Sequence, residues 1–600
     1  MKKIIISLFS ALALTACSFL EEPSTTSLSS AYSTEAALEA NIRGIQSGLS
    51  FFTRDYLENL EACSGLVHFG SALSRVEDNR WKCILTNMTY TSMSLNIDLY
   101  GSIYSSINNC NVLLSHLPDS PVDASYKREI EAECKMYRAL LYLTAVRLYG
   151  DVPLALSAYE TSFDAIPRTP YYKVYDQIVE DLKDAFDGMR TPERVAQVTP
   201  TQGRSNKWAA KALLSAAYLQ MASLLSVHEA SPDDNFYDSA KEGRSPVFEA
   251  DGIGTDPEKA WQLCYDTARD VIDNGPYVLA NKYSDLYKWK SGYTDARGKD
   301  CWNLDERIIT VQSEVFNSNN YSATRSLPTF PPKDYEPGDP RVEINWNYVS
   351  RAGNVRPSRF LYNEWCRRYS LDKDGNLTIN GKKDSLYKVS QDPRIDVALI
   401  HTSYIPCNSD KATSIYPTSF KGTSATNYMP YFRKYNTLTY QGKPDVADFY
   451  FLRFAEVYYI AAEAAMHTTS AGESVARDLV NEVHRRAGTP QWETAITVDD
   501  IVWDKLFELC GEGHSFYEVR RLGARWFNDN ILKARNFFFD TMGEEGENYM
   551  SVYFGRSDFR YDFEGDMTKV RGALLCEFPK EELTANPAMS TADKNDFSRE

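Results

Sequence analysis

The stretch AECKMYRALLYLTAVRLYGDVPL, residues 132–154, reads as the body of one long amphipathic helix followed by its stop. From Arg128 onward Ile130, Cys134, Tyr137, Leu141, Ala145 and Leu148 recur at steps of three or four, which lays a single apolar stripe along a helix. Gly150 ends it as a C-cap, and Pro153 bars its continuation. The same signature recurs downstream. Residues 171–188 carry Val174, Ile178, Leu182 and Phe186 on one stripe; residues from about 205 to 225 carry Ala209, Ala212, Ala216 and Leu219; residues from about 257 to 274 are halted by Asn274-Gly275-Pro276. Alanine contact faces let helix backbones approach closely, and antiparallel helices of this length are how tetratricopeptide-type solenoids are built, although the repeats here are irregular.

The character changes at about 276. As far as 448 there are few helical stripes, many Pro, Gly and Asn, and scattered rings: Trp289, Trp302, Tyr321, Trp346 and Trp365. So long a non-helical stretch is functional or disordered, and its aromatic content argues against disorder. Loops and short strands forming a surface on the helical scaffold are expected. Helices resume at 449–467, 473–487 and 499–511. The chain therefore divides into a helical scaffold at about 36–274 and 449–528, a loop-rich mixed insertion at about 275–448 and an irregular C-terminal segment, 529–600. Asp372 to Ile379 has some of the look of a calcium loop, but Leu377 stands where glycine must turn the chain and Lys383 where a bidentate glutamate is needed. A β-hairpin turning at Asp374-Gly375 fits better.

The first residues are an export signal. Lys2 and Lys3 precede the apolar run Ile4 to Leu14, too short to span a bilayer, and Leu14-Thr15-Ala16 leads to Cys17. Leu-Thr-Ala-Cys resembles the lipobox of bacterial lipoproteins, which implies removal of residues 1–16 and acylation of Cys17. Several acyl chains at about 0.8 kcal/mol per buried CH2 hold a domain on a membrane with no helix crossing it. Glu21 and Glu22 close behind resemble the surface-export signal of Bacteroidetes lipoproteins. Nothing after residue 17 reads as a membrane-spanning helix.

A formal charge of −17 argues against a nucleic-acid partner, which requires a basic surface. The ten cysteines after Cys17 form no Cys-x-x-Cys pair, and Cys134 and Cys264 sit in helical patterns as buried thiols. The seven histidines include no His-Glu-x-x-His, and there is neither a phosphate loop nor Gly-x-Ser-x-Gly, so no metal or cofactor is expected. Glu456 with Glu463, or Glu512 with Glu518, are the carboxylate pairs that a glycosidase would need. On helices facing a core they read better as ion-pair partners of arginines such as Arg485, Arg486 and Arg520.

Taken in order, these motifs resemble the SusD/RagB-like outer-membrane lipoproteins of Bacteroidetes. Residues 132–154 look like the family's first long helix with its Tyr-Gly-Asp-Val-Pro ending; IPRTPYYKVYDQIVEDLKDAF (166–186) and GRSNKWAAKALLSAAYL (203–219) look like the next two. Asp392-Pro-Arg394, FLRFAEVYYIAAEAA (451–465), LVNEVHRRAG (479–488) and ELCGEGHSFYEVRRLG (508–523) complete the set. Val483-His484, Asp504-Lys505, Ser515 and Glu518 depart from the usual residues. The resemblance implies a mainly α fold, tetratricopeptide-like helix pairs in an α-α superhelix that carry a loop-rich binding face. It also implies a non-catalytic role: capture of a glycan at the cell surface and delivery to a SusC-like TonB-dependent transporter. A surface-anchored glycoside hydrolase, a peptide-binding relative and a ligand-free helical scaffold are the alternatives.

Sugar capture needs flat rings over C–H patches and polar groups for the hydroxyls. The resemblance points to the stretch before the IYSSINNCNVLL helix and to the insertion. In SRVEDNRWKCILTNMTY (74–90), Trp81 and Tyr90 offer rings, with Arg75, Asp78, Asn79 and Arg80 beside them; in the insertion Trp289, Trp302, Tyr321 and Trp346 do so.

Overall fold

Helices dominate the computed structural model, which describes residues 31–52, 60–69 (without 62), 95–159, 166–198, 203–234, 246–287, 305–311, 355–369, 376–379, 382–388, 391–400, 448–534 and 565–589 (without 577), with a few positions between 403 and 434. The main helices are α1 (Glu35–Gly48), α2 (Leu95–His116), α3 (Ala124–Tyr149), α4 (Tyr171–Gly188), α5 (Lys207–Ala230), α6 (Pro257–Asn274), α7 (Arg359–Arg368), α8 (Phe454–Met466), α9 (Glu473–Ala487), α10 (Val498–Glu508) and α11 (Ser515–Arg521). Six strands matter here: β1 (Val67–Phe69), β2 (Arg307–Val311), β3 (Val355–Pro357), β4 (Asn376–Ile379), β5 (Lys382–Lys388) and β6 (Phe449–Arg453).

Local chemistry sets the helix ends. Asp123 caps α3 by accepting from the Ser125 N–H at 2.8 Å, and Asp256 caps α6 through the Lys259 N–H at 3.2 Å. Thr497 and Asp500 form a reciprocal capping box at the start of α10. Gly150 closes α3 at φ 72°, a left-handed conformation that a side chain would resist. Gly275 stops α6 for a different reason: a Cβ there would run into the carbonyl oxygen of Val271.

Packing follows chain order. α2 lies against α3, α3 against α4, α4 against α5, α5 against α6, and α6 directly against α8, which packs on α9. The insertion thus leaves and re-enters between two neighbours of one helical stack. Val174, Ile178 and Leu182 of α4 are fully buried, each such side chain contributing about 1.5–3 kcal/mol relative to exposure. Phe186, at the end of that stripe, is half-buried under the Lys207 ammonium, 4.2 Å from its ring centre. Ala209, Ala212 and Ala216 of α5 are buried against neighbouring helices. The Cys134 and Cys264 thiols are buried too, reaching the carbonyls of Cys110 at 3.3 Å and Ser215 at 3.5 Å.

α1 is attached to this stack by charge. Glu39 accepts from Tyr126 Oη and Arg190 Nη2, both at 2.6 Å, and pairs with Arg204, which also grips Glu133 of α3. Burial pushes the Glu39 carboxyl up, but Tyr126 and the two arginines outweigh it and hold it at about 2.

Four expectations need correction. Residues 449–453 are strand β6, paired antiparallel with β2 (Phe449↔Val311, Arg453↔Arg307), and the helix begins only at Phe454. The hairpin turn is displaced: β4 and β5 pair Ile379 with Lys382, so Asn380-Gly381 connects them and not Asp374-Gly375. α5 is long and apolar enough to cross a membrane by length and composition, yet most of it is buried in the helical core. The segment after 528 contains helical turns at Asn528–Lys533, Met567–Gly572 and Lys580–Ala585.

Candidate ligand-binding site

The short strands β1 and β3 pair antiparallel, with Val67 opposite Pro357 and Phe69 opposite Val355. In sequence, Phe69 leads toward the stretch 74–90, and the stretch holding Tyr321 and Trp346 leads into Val355. The scaffold ends of the two ring-bearing segments are therefore one place.

That place is pinned from below. The Ser358 N–H donates to the Leu66 carbonyl at 2.9 Å, and the Ser358 hydroxyl caps α7 by accepting from the Leu361 N–H at 3.1 Å. Arg520, 2 % exposed, donates to the carbonyls of Cys63 (2.7 Å) and Ala573 (3.1 Å). Glu61 accepts from the Gly513 N–H at 2.8 Å. Just before Trp289, the turn Tyr283–Tyr287 is fixed through its hydroxyls: Tyr283 donates to the Glu508 carbonyl at 2.7 Å and Tyr287 to Glu512 Oε1 at 2.6 Å.

Beneath lies a buried lattice of charges. Arg453 reaches Glu512 Oε2 (2.8 Å), Glu306 Oε1 (2.8 Å) and Glu508 Oε1 (2.7 Å). Arg394 reaches Asp392 (2.7 Å), Asp504 (2.5 Å) and Glu508 (3.2 Å), while His484 faces Asp504 at 2.8 Å. Lys434 donates to Glu512 at 2.6 Å. Burial pushes the Glu512 carboxyl up, but Arg453 and Lys434 prevail and hold it at about 2. Asp504 and Glu508 are likewise held well below the usual range, against burial, chiefly by Arg394 and by Arg486 with Arg453 respectively. Most of these charges are paired with one another inside the fold, with Arg486 Nε and Nη1 buried without a hydrogen-bond partner, so the lattice is chiefly structural.

The carboxylates weighed as an acid and base are engaged in the same way. Glu463 pairs with Arg521 at 2.5 Å; Glu518 with Lys505 (2.5 Å) and Arg521 (2.7 Å); Glu456 approaches Lys505 and His514, both at 3.4 Å. Ion pairing is as expected, but the partners differ. Arg486 binds Glu508, Arg485 binds Glu482 of its own helix, and Arg520 holds backbone carbonyls. Sequence spacing cannot announce such contacts between distant elements.

A separate cleft opens between the end of α3, β6 and the turn before α11. It is narrow, with an enclosed volume of about 10 Å³, and is lined by Arg147, Phe449, Phe451, Glu456, His514 and Tyr517 among others. Sequence reasoning passed over Arg147, although it lies within the opening stretch. Among the described residues no group of three or more His, Cys, Asp or Glu is placed to hold a metal.

Cys17, Arg75, Asp78, Asn79, Arg80, Trp81, Tyr90, Trp289, Trp302, Tyr321 and Trp346 all lie outside the described residues.

Together the stack and the β1–β3 junction define a scaffold of packed helices. A model of the SusD family matches residues 306–595, and a second, described as starch-binding associating with outer membrane, matches residues 19–219. The chain belongs to the SusD/RagB-like family. Among curated relatives, SusD-like protein P25 of Formosa agariphila is 22% identical over 463 residues, covering 73% of this chain and 72% of its own. A SusD-like protein of Bacteroides ovatus is 22% identical over 467 residues, 75% of this chain and 70% of its own. Among solved structures, a laminarin-binding SusD-like protein aligns with TM-score 0.60 at 18% identity, over 92% of this chain and 98% of that one. A structure with xylogluco-oligosaccharide aligns with TM-score 0.63 at 17% identity over 93% and 99%. At these identities the structural likeness establishes the fold.

Proposed function

We propose that the protein is a lipid-anchored, outward-facing outer-membrane receptor that captures oligo- or polysaccharide and passes it, uncleaved, to a SusC-like TonB-dependent transporter. The observation that carries this reading is the β1–β3 pair, where the scaffold ends of two ring-bearing segments meet on a fold of this family. Glycan-binding proteins share the fold, one binding laminarin and one holding a xylogluco-oligosaccharide. The description of the second family model supports the outer membrane, and Cys17 after its lipobox supplies the anchor. Trp81 is the stacking platform, with Tyr90, Trp289, Trp302, Tyr321 and Trp346 as further rings and Arg75, Asp78 and Asn79 as hydroxyl partners.

Affinity electrophoresis over a glycan panel tests the reading. Retardation by at least one glycan is expected, weakened at least about tenfold in Trp81→Ala, roughly 1.4 kcal/mol. Unchanged retardation removes Trp81 from the site. Release of reducing sugar that one carboxylate substitution abolishes identifies a hydrolase instead. Cys17→Ala is expected to free the protein from membranes, and the transporter should co-purify with wild type.

A further inference from the structure

Two cysteines meet across the hairpin of α2 and α3. Cys110 and Cys134 are both fully buried, and the Cys134 thiol donates to the Cys110 carbonyl at 3.3 Å. The Cys110 thiol lies close enough to share a hydrogen bond with it as well. Arg138, one turn further along α3, fixes the register: its Nη1 donates to Asn111 Oδ1 at 3.1 Å, while Nε and Nη2 hold Asp181 of α4, both at 2.8 Å. α2 cannot slide on α3 without breaking a buried charge-assisted contact, so the two thiols stay side by side. Burial first, and then the Cys110 thiol, push the Cys134 thiol well above its ordinary range, which makes it a poor nucleophile in the closed hairpin. A bond between the two sulfurs has to close while the hairpin assembles, and once closed it is sheltered from reductants.

We propose that Cys110 and Cys134 become a disulfide that locks α2 to α3 as the chain is exported. The oxidant is the disulfide of a thiol oxidoreductase outside the inner membrane, so the proposal rests on the exported, lipid-anchored reading given above. One cysteine thiolate attacks a carrier sulfur and forms a mixed disulfide. The other attacks the cysteine sulfur of that intermediate, and the carrier leaves as a dithiol, having taken up two electrons and the two protons that the cysteines release. The bond joins residues 24 apart in sequence and removes freedom from the unfolded chain. It also braces α2, whose start at Leu95 follows the ring-bearing stretch 74–90.

Peptide mapping of the full mature chain tests it. Protein taken from membranes without reductant is unfolded in an alkylating agent and digested; the expected product is a peptide pair joining Cys110 to Cys134 that separates on reduction. The same link should re-form when the reduced, unfolded chain is refolded with oxidised glutathione. Alkylation of both cysteines in the membrane-located protein, or Cys110 linked to a different cysteine, overturns the proposal. A protein found in the cytoplasm overturns the exported reading instead, and the glutathione-refolded chain then decides the pairing alone: both thiols alkylated there overturns it too.

Discussion

The stack from α3 to α6 and the described ground between Asp392 and Arg521 are both buried, but by different means. In the stack, the buried residues are mostly alanine, branched apolar and tyrosine side chains, with few charges among them, such as the Arg138–Asp181 pair at 2.8 Å. In the second region the charges form two connected sets: Arg394, Arg453 and Lys434 face Asp392, Asp504, Glu508 and Glu512, and Lys505 and Arg521 face Glu518 and Glu463. Apolar contact is graded, losing a little for each methyl removed. A charge lattice is cooperative, because removing one member strands the others without solvent. The lattice lies where the insertion re-enters the stack: Arg453 ends β6 and α8 starts at the next residue.

The comparison breaks first at its most connected member. Arg453→Met leaves Glu306, Glu508 and Glu512 short of a counter-charge and is expected to destabilise by about 3–5 kcal/mol in urea unfolding. A loss below 1 kcal/mol would mean that water enters the lattice. Acid should act on the same region next. Glu512 and Glu518 are held at about 2 against an ordinary 4.5, so the unfolded chain takes up their protons first. Their stabilisation is complete above the ordinary value and drains away as pH falls from there through the folded values. Melting temperature should stay level down to about pH 5 and then decline, less steeply in Glu512→Gln. In the apolar stack Ile178→Val is expected to cost about 1 kcal/mol, with little dependence on pH. Lys135→Ala removes a half-exposed pair with Asp184 at 2.8 Å and should cost about 0.5 kcal/mol or less, vanishing in high salt.

The same contrast decides what could be read from residues alone. Periodicity carries the stack: the stripe at 171–188 matches α4 from Tyr171 to Gly188, and 257–274 matches α6. Where apolar residues run on without a period, as in FYFLRFAEVYYI, strand and helix look alike, and β6 was hidden ahead of α8. The lattice announces that charges exist in apolar surroundings, as Arg453 does between Leu452 and Phe454, but its partners come from elements dozens of residues apart. The cleft was illegible for the same reason: Arg147, Glu456 and His514 share no local pattern and meet only through the fold.

The fastening of α1 has a mechanical consequence. Glu39 sits near the start of that helix and is tied to Arg190 and Arg204, which belong to the connection between α4 and α5. A tug on the amino terminus is therefore met within two turns and shared with several parts of the body, so a leash fixed there drags the molecule along as a unit instead of peeling its first helix away.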